Sequence, residues 1–167
     1  LIMNSEMFDA NAFSGYRVLI TGSSRGIGHD VAMALRCLGA DIAVHGTNAP
    51  DASRYGAGPG ALVLLAGDFR EDGAAAAVVN AAAEQLGGLD CLINNAGTMM
   101  GRNPIVNLTT PLYQQIVDLN ATSLVEASIA AIPALSESPR ASIINTTSIS
   151  ARTGGSPGSS IYSSAKA

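Results

Sequence analysis

Five short apolar runs alternate along the chain with stretches of helical spacing, and this alternation restricts the fold more than any other feature. Tyr16–Thr21, Asp41–His45, Ala61–Ala66, Leu89–Ile93 and Ala141–Thr146 each read as a buried strand. Between the first two, residues 26–38 carry Ile27, Val31, Ala34, Leu35 and Leu38 on one helical stripe, which stops at Gly39. Residues 72–86 form an Ala-rich helical stretch closed by Gly87 and Gly88. A longer helix is expected from Thr109 or Thr110, with Pro111 in its first turn. It carries Leu112, Ile116, Leu119, Leu124 and Ile129, and Pro133 should bend or end it. A last helix starts near Ser160, while residues 47–60 and 150–159 read as loops. Strands separated by helices pair in parallel through right-handed crossovers. The expected fold is α/β, a Rossmann-like doubly wound parallel sheet of about five strands. Residues 1–15 read as an N-terminal extension and residues 16–167 as the domain.

Composition narrows the function. At 47% hydrophobic and 13% charged, the chain has ample material for a core. The net charge of −4 and the lack of a basic patch argue against nucleic acid as a partner. No run of apolar residues approaches the roughly 18 that a membrane span requires. The N-terminal residues lack the basic and apolar regions of a signal peptide. A cytoplasmic location with no membrane partner is therefore expected. Cys37 and Cys91 read as reduced core thiols, His29 and His45 as structural, and no metal-ligand cluster stands out.

Thr21-Gly22-Ser23-Ser24-Arg25-Gly26-Ile27-Gly28 follows the first strand and opens the first helix. Glycines there permit a tight turn and close approach of a pyrophosphate to the helix N-terminus. A plain strand-to-helix turn is the alternative. The spacing resembles the T-G-x-x-x-G-I-G motif of the short-chain dehydrogenase/reductase family, which places Gly22, Ser23, Ser24, Arg25, Ile27 and Gly28 at the cofactor phosphates. The second strand ends His45-Gly46-Thr47-Asn48, without the acid that would accept hydrogen bonds from a ribose 2′-hydroxyl. A guanidinium at Arg25 suits a 2′-phosphate, unless it is an ordinary solvated side chain. In the family, an Arg here with a hydroxyl at the Thr47 position goes with NADP(H), so NADP(H) is favoured over NAD(H). The resemblance also makes Asp68, with Phe69 beside it, an adenine-contacting acid; an ordinary loop or capping Asp is the alternative. Asn94-Asn95-Ala96-Gly97 matches the family's N-N-A-G signature, which implies that Asn95, Ala96 and Gly97 line the adenosine side while steadying the sheet.

Tyr162 and Lys166 stand four residues apart, on one helix face. An ammonium beside a phenol favours phenolate, so such a pair can give a proton to a carbonyl oxygen or take one from an alcohol. Lys166 is the only lysine among nine basic residues, in a chain that elsewhere uses Arg. The resemblance makes Tyr162 and Lys166 catalytic and places both against the cofactor. It adds Ser148, with Ser150 as a competing assignment, to hold a substrate oxygen. It adds Asn120 to hold a proton-relay water. The implied reaction is hydride transfer between the nicotinamide and a small carbonyl or alcohol substrate, such as a 3-oxoacyl group, in a homo-oligomer. Family members continue beyond Lys166, so the chain is expected to be the core of a longer reductase. An inactive truncated fragment and a non-enzymatic cofactor-binding protein are the alternatives.

Overall fold

The computed structural model describes residue 9 and residues 11–167. Strands β1 (Arg17–Ile20), β2 (Asp41–Gly46), β3 (Leu62–Ala66), β4 (Cys91–Asn94) and β5 (Ser142–Asn145) form one sheet in the order β3-β2-β1-β4-β5. Every neighbouring pair is parallel, with Leu19 aligned to Ala43 and to Leu92 across the centre. This is the expected Rossmann-like α/β sheet. The chain winds outward from β1 to β3, then crosses to β4 and β5. The reversal lies between β1 and β4, and ligands of such sheets bind beyond the carboxyl ends there.

Alternating side chains of each strand face opposite layers. Leu19, Ala43, Leu65 and Leu92 point to one side, against α2 (Ala74–Leu86) and α4 (Ser123–Ser136) through Val78, Val79, Ala127 and Ala131. Val18, Ile20, Ile42, Val44, Cys91 and Ile93 point to the other, where Ala32 of α1 (Gly26–Cys37) and Tyr55 complete the core. Cys91 is thus a core thiol as expected, but Cys37 is exposed at the end of α1, and neither is bonded.

Several boundaries differ from the sequence reading for local reasons. Helix α2 starts at Ala74 rather than residue 72, because Gly73 takes a left-handed conformation (φ 74°) incompatible with the helix. Residues 52–55 of the expected loop form a 3₁₀ turn capped by Asp51, which accepts from the Ser53 amide. Pro133 does not end α4, which runs to Ser136. Pro133 offers no N–H to the Ile129 carbonyl, and both residues lie on the exposed side of the helix. A short helix α5 (Ile149–Thr153) occupies the start of the second expected loop, nucleated by the Ser148 hydroxyl accepting from the Ser150 amide at 3.1 Å. Helix α6 (Ser160–Ala165) starts where expected.

The long helix is α3 (Thr110–Val117) joined to α4 by one π-helical stretch, Asp118–Thr122. Its 27 residues are long enough to span a membrane and contain a stretch apolar enough to do so, which the sequence reading missed. Ile116, Ala127, Ala131 and Leu135 nevertheless lie in the protein interior, as in a helix packed against a sheet. Its outer side exposes Val125, Ile129 and Ile132.

Candidate active site

A cleft of about 600 Å³ opens beyond the carboxyl ends of β1, β4 and β5. Its first wall is the glycine-rich turn. Gly22 adopts φ 64° and Gly26 φ 61°, conformations that a side chain would strain. A Cβ on Gly22 would also stand 2.7 Å from the Ala96 Cα, so the turn and the Asn94–Gly97 segment meet backbone to backbone. Asn95 and Thr21 lock this contact. The Thr21 hydroxyl accepts from the amides of Asn95 and Ala96, both at 3.0 Å, and the Asn95 side chain donates to the Thr21 and Gly22 carbonyls. Asn94 donates to Asn145 (2.9 Å) and Ser128 (3.1 Å), tying β4 to β5 and α4.

The start of α1 carries no side-chain cap and no acid in its first turn. Its free amides and the positive end of its dipole therefore suit an anion. Arg25 caps it from extended backbone and, like Ile27 and Thr47, is exposed at the cleft mouth. Two further side chains hold the turn from behind, and the sequence reading missed both. Tyr55 Oη donates to the Ser23 carbonyl at 2.8 Å, and Arg54 Nη1 donates to the Ser24 carbonyl at 2.7 Å. No local signal in residues 47–60 announces them, since their partners lie about thirty residues away along the chain.

The expected phosphate-side residues divide in two. Gly22, Ser24, Arg25 and Ile27 line the cleft. Ser23 and Gly28 sit behind it. Ser23 is fully buried, its hydroxyl donating to the Ile20 carbonyl (2.7 Å) and accepting from the His45 amide (2.9 Å). A Cβ on Gly28 would meet the Asn95 side chain at 2.4 Å, so its smallness serves packing. Phe69 lines the cleft and stacks on His45. Asp68 is paired with Arg70, whose hydrogen bonds hold its carboxyl below the usual carboxylate range. Asn95, Ala96 and Gly97 line the cleft from the β4 end.

The second wall brings together the remaining four expected residues. The Lys166 amide donates to the Tyr162 carbonyl at 3.0 Å, one helical turn back, and both side chains line the cleft. Lys166 is 6% exposed, and Nζ donates to the Thr146 carbonyl (3.3 Å) and the Ala96 carbonyl (3.4 Å). It has no salt bridge to any described residue, and burial pushes its ammonium below the ordinary lysine value. Asn120 sits in the π-helical stretch, which widens the helix at this point. Its side-chain amide donates to the carbonyls of Thr98 (2.9 Å) and Ile116 (2.8 Å), leaving Oδ1 buried without a partner. A Cβ on Gly97 would stand 2.6 Å from that Oδ1 and 2.8 Å from Lys166 Nζ, so only glycine leaves room between them. Ser148 lines the same cleft, and Ser150 does not. The Ser148 oxygen accepts from the Ser150 amide, so its own O–H is free to donate into the cleft.

The family model for short chain dehydrogenases matches residues 16–167. The chain belongs to the short chain dehydrogenase family. It is 35% identical over 135 residues to a Streptomyces violaceoruber protein assigned as ketoacyl reductase 2 of granaticin polyketide synthase, covering 78% of this chain and 54% of that one. Among solved structures it resembles the NADH-dependent reductase A1-R′ complexed with NAD (TM-score 0.85, 31% identity, 92% of this chain and 68% of that one). It also resembles a short chain dehydrogenase from Burkholderia cenocepacia J2315 in complex with NADP (TM-score 0.82, 31% identity, 92% and 64%). The chain spans about half the length of the curated family relatives it matches. The groove, its uncapped helix start and the glycine contacts that a Cβ would close fit an extended dinucleotide, the cofactor class of those two structures.

Proposed function

We propose that this chain is the cofactor-binding and catalytic part of an NADP(H)-dependent oxidoreductase acting on a small carbonyl or alcohol substrate. One observation carries the reading. Lys166 is a buried ammonium with no salt bridge among the described residues, one helical turn from Tyr162 and lining the same cleft as Ser148. An uncompensated buried charge is costly, and its retention implies work for it. Two of its three protons go to the Ala96 and Thr146 carbonyls, and the third is available to a ribose hydroxyl. When bound, the nicotinamide supplies or accepts the hydride. Tyr162 gives the proton to the carbonyl oxygen, or takes it from the alcohol. Ser148 donates a hydrogen bond to that oxygen. Asn120 Oδ1, unpartnered and facing Gly97 with Lys166, is placed to hold a water that returns the proton.

The NADP(H) preference is supported by the absence of an acid after β2 and by the cationic mouth formed by Arg25, with Arg54 close behind it on Ser24. The ketoacyl reductase relative supports a 3-oxoacyl group as substrate class. Soluble cytoplasmic operation, without nucleic acid or membrane, goes with this chemistry. The apolar row Val125, Ile129 and Ile132 on α4 supports a homo-oligomer. Fluorescence titration with NADPH and NADH tests the cofactor. Saturable binding that favours NADPH is expected; binding that favours NADH overturns the cofactor choice, and no binding of either overturns the reading for this chain. NADPH oxidation on adding a 3-oxoacyl thioester tests the substrate class.

A further inference from the structure

His45 lies on the last turn of β2, 3% exposed, between the glycine-rich turn and the end of β3. Its ring is engaged on both nitrogens. The Gly22 amide donates to Nδ1 at 3.1 Å, and Nε2 lies 2.9 Å from the Gly67 carbonyl. An amide can only donate and a carbonyl can only accept, so the ring must be neutral with its proton on Nε2. The backbone of His45 adds two more ties, donating to the Ser23 hydroxyl and accepting from the Ser23 amide at 2.8 Å. Phe69 stacks on the ring with centroids 4.1 Å apart and planes within 15°. Gly22, His45 and Phe69 all line the cleft. One imidazole thus joins the phosphate side of the groove to its adenine side.

Resting on the dinucleotide reading above, we propose that His45 is a positioning residue for the cofactor. Its neutral Nε2–H tautomer sets Gly22 and Phe69 in register, and proton uptake by the ring releases Gly22 and weakens nucleotide binding. The imidazolium has no lone pair for the Gly22 amide, so the turn loses its anchor where a pyrophosphate would lie. Burial pushes the ring below the ordinary histidine value and keeps it neutral at physiological pH. The charged groups around it are few. From the β3 end comes Asp68, which favours the imidazolium but is itself paired with Arg70. From the glycine-rich turn, Arg25 is exposed on the same cleft. Helix α2 presents only Val78 and the Ala74 carbonyl to the neighbouring Gly67.

The test is a titration with NADH, which lacks the 2′-phosphate that itself gains a proton near neutrality. It is run from about pH 8 to pH 5 on the unaltered chain and on two variants. The unaltered chain should lose affinity as pH falls below the ordinary histidine value of about 6.5. His45→Asn keeps an acceptor at the Nδ1 position without a titrating ring. It should bind within about threefold of the unaltered chain at high pH and lose the acid-side weakening. His45→Phe keeps the stack but neither hydrogen bond, and should bind about tenfold more weakly at every pH. Binding by the unaltered chain with the same pH profile in His45→Asn overturns the proposal and leaves the oxidoreductase reading standing. No binding of NADH or NADPH by the unaltered chain overturns both. Long-range proton–nitrogen spectra of the ring give a readout free of nucleotide. An Nε2–H tautomer whose protonation moves the Gly22 amide resonance supports the proposal. An Nδ1–H tautomer, or a titration that leaves Gly22 unmoved, overturns it.

Discussion

The two ends of the sheet treat their polar groups in opposite ways. At the amino end, Asp90 is 1% exposed and fully engaged. The Arg17 fork reaches it with Nε (3.0 Å) and Nη2 (2.9 Å), the Arg17 amide adds a bond at 2.9 Å, and Ser138 donates at 2.6 Å. Those contacts fasten the starts of β1 and β4 to the connection into β5. At the carboxyl end, Lys166 is buried without a carboxylate, Asn120 keeps an unpartnered oxygen, and α1 begins without a cap. Asp90 is saturated by the protein itself. The carboxyl end leaves donors and acceptors unspent, and the proposed cofactor site lies there.

Substitutions should separate these two behaviours. The largest effect is expected from Tyr162→Phe, which removes the proton donor and should cut carbonyl reduction by about a thousandfold. The unfolding midpoint should stay close to that of the unaltered chain; equal turnover in both would remove Tyr162 from the mechanism. Next comes Asp90→Asn, which strands Arg17 and should cost about 3 kcal/mol in denaturant unfolding while leaving nucleotide affinity in the folded chain unchanged. Asp90 also has a pH signature. The Arg17 hydrogen bonds, against opposing desolvation, hold its carboxyl well below the usual range. The stability it contributes is therefore complete above about pH 3.9 and is lost only as pH falls through the lower folded-state value. Loss of stability beginning above that range, and absent in Asp90→Asn, would reassign the ion pair.

Lys166→Met should lower activity about a hundredfold yet unfold no earlier, because it removes a buried ammonium whose desolvation the fold otherwise bears. A marked fall in its unfolding midpoint would make Lys166 a structural residue like Asp90. The smallest effect is expected at the mouth. Arg25→Ala should weaken NADPH about tenfold and NADH hardly at all, read as the ratio of the two dissociation constants. An unchanged ratio would show that Arg25 is only a solvated side chain.

The fold was legible because each strand run is short and apolar, and the helical stripes after the first and third end in glycine. The candidates Asn120, Ser148, Tyr162 and Lys166 came from family motifs; Ser148, Tyr162 and Lys166 line one cleft, and Asn120 lies behind its Gly97 wall. Local features escaped where one residue decided them against the pattern: left-handed Gly73, the Ser148 cap of α5, and Pro133 on the exposed side of α4. Ser23 illustrates the opposite difficulty. A motif assigns it to phosphate, whereas its hydroxyl is consumed inside the protein by Ile20 and His45. The clasp of Arg54 and Tyr55 on the turn could not be read at all, because it depends on contacts distant in sequence.

The widened turn at Asp118–Thr122 has a consequence for how this helix tolerates length changes. It lets one continuous rod serve two phases, with Asn120 reaching Gly97 of the cleft wall and Ala127, Ala131 and Leu135 packed in the core beneath the sheet. Deleting a single residue there would rotate everything downstream by about 100°. Either the packing stripe or the cleft oxygen would then face the wrong way. The helix behaves as a keyed shaft, in which the spare residue is the key.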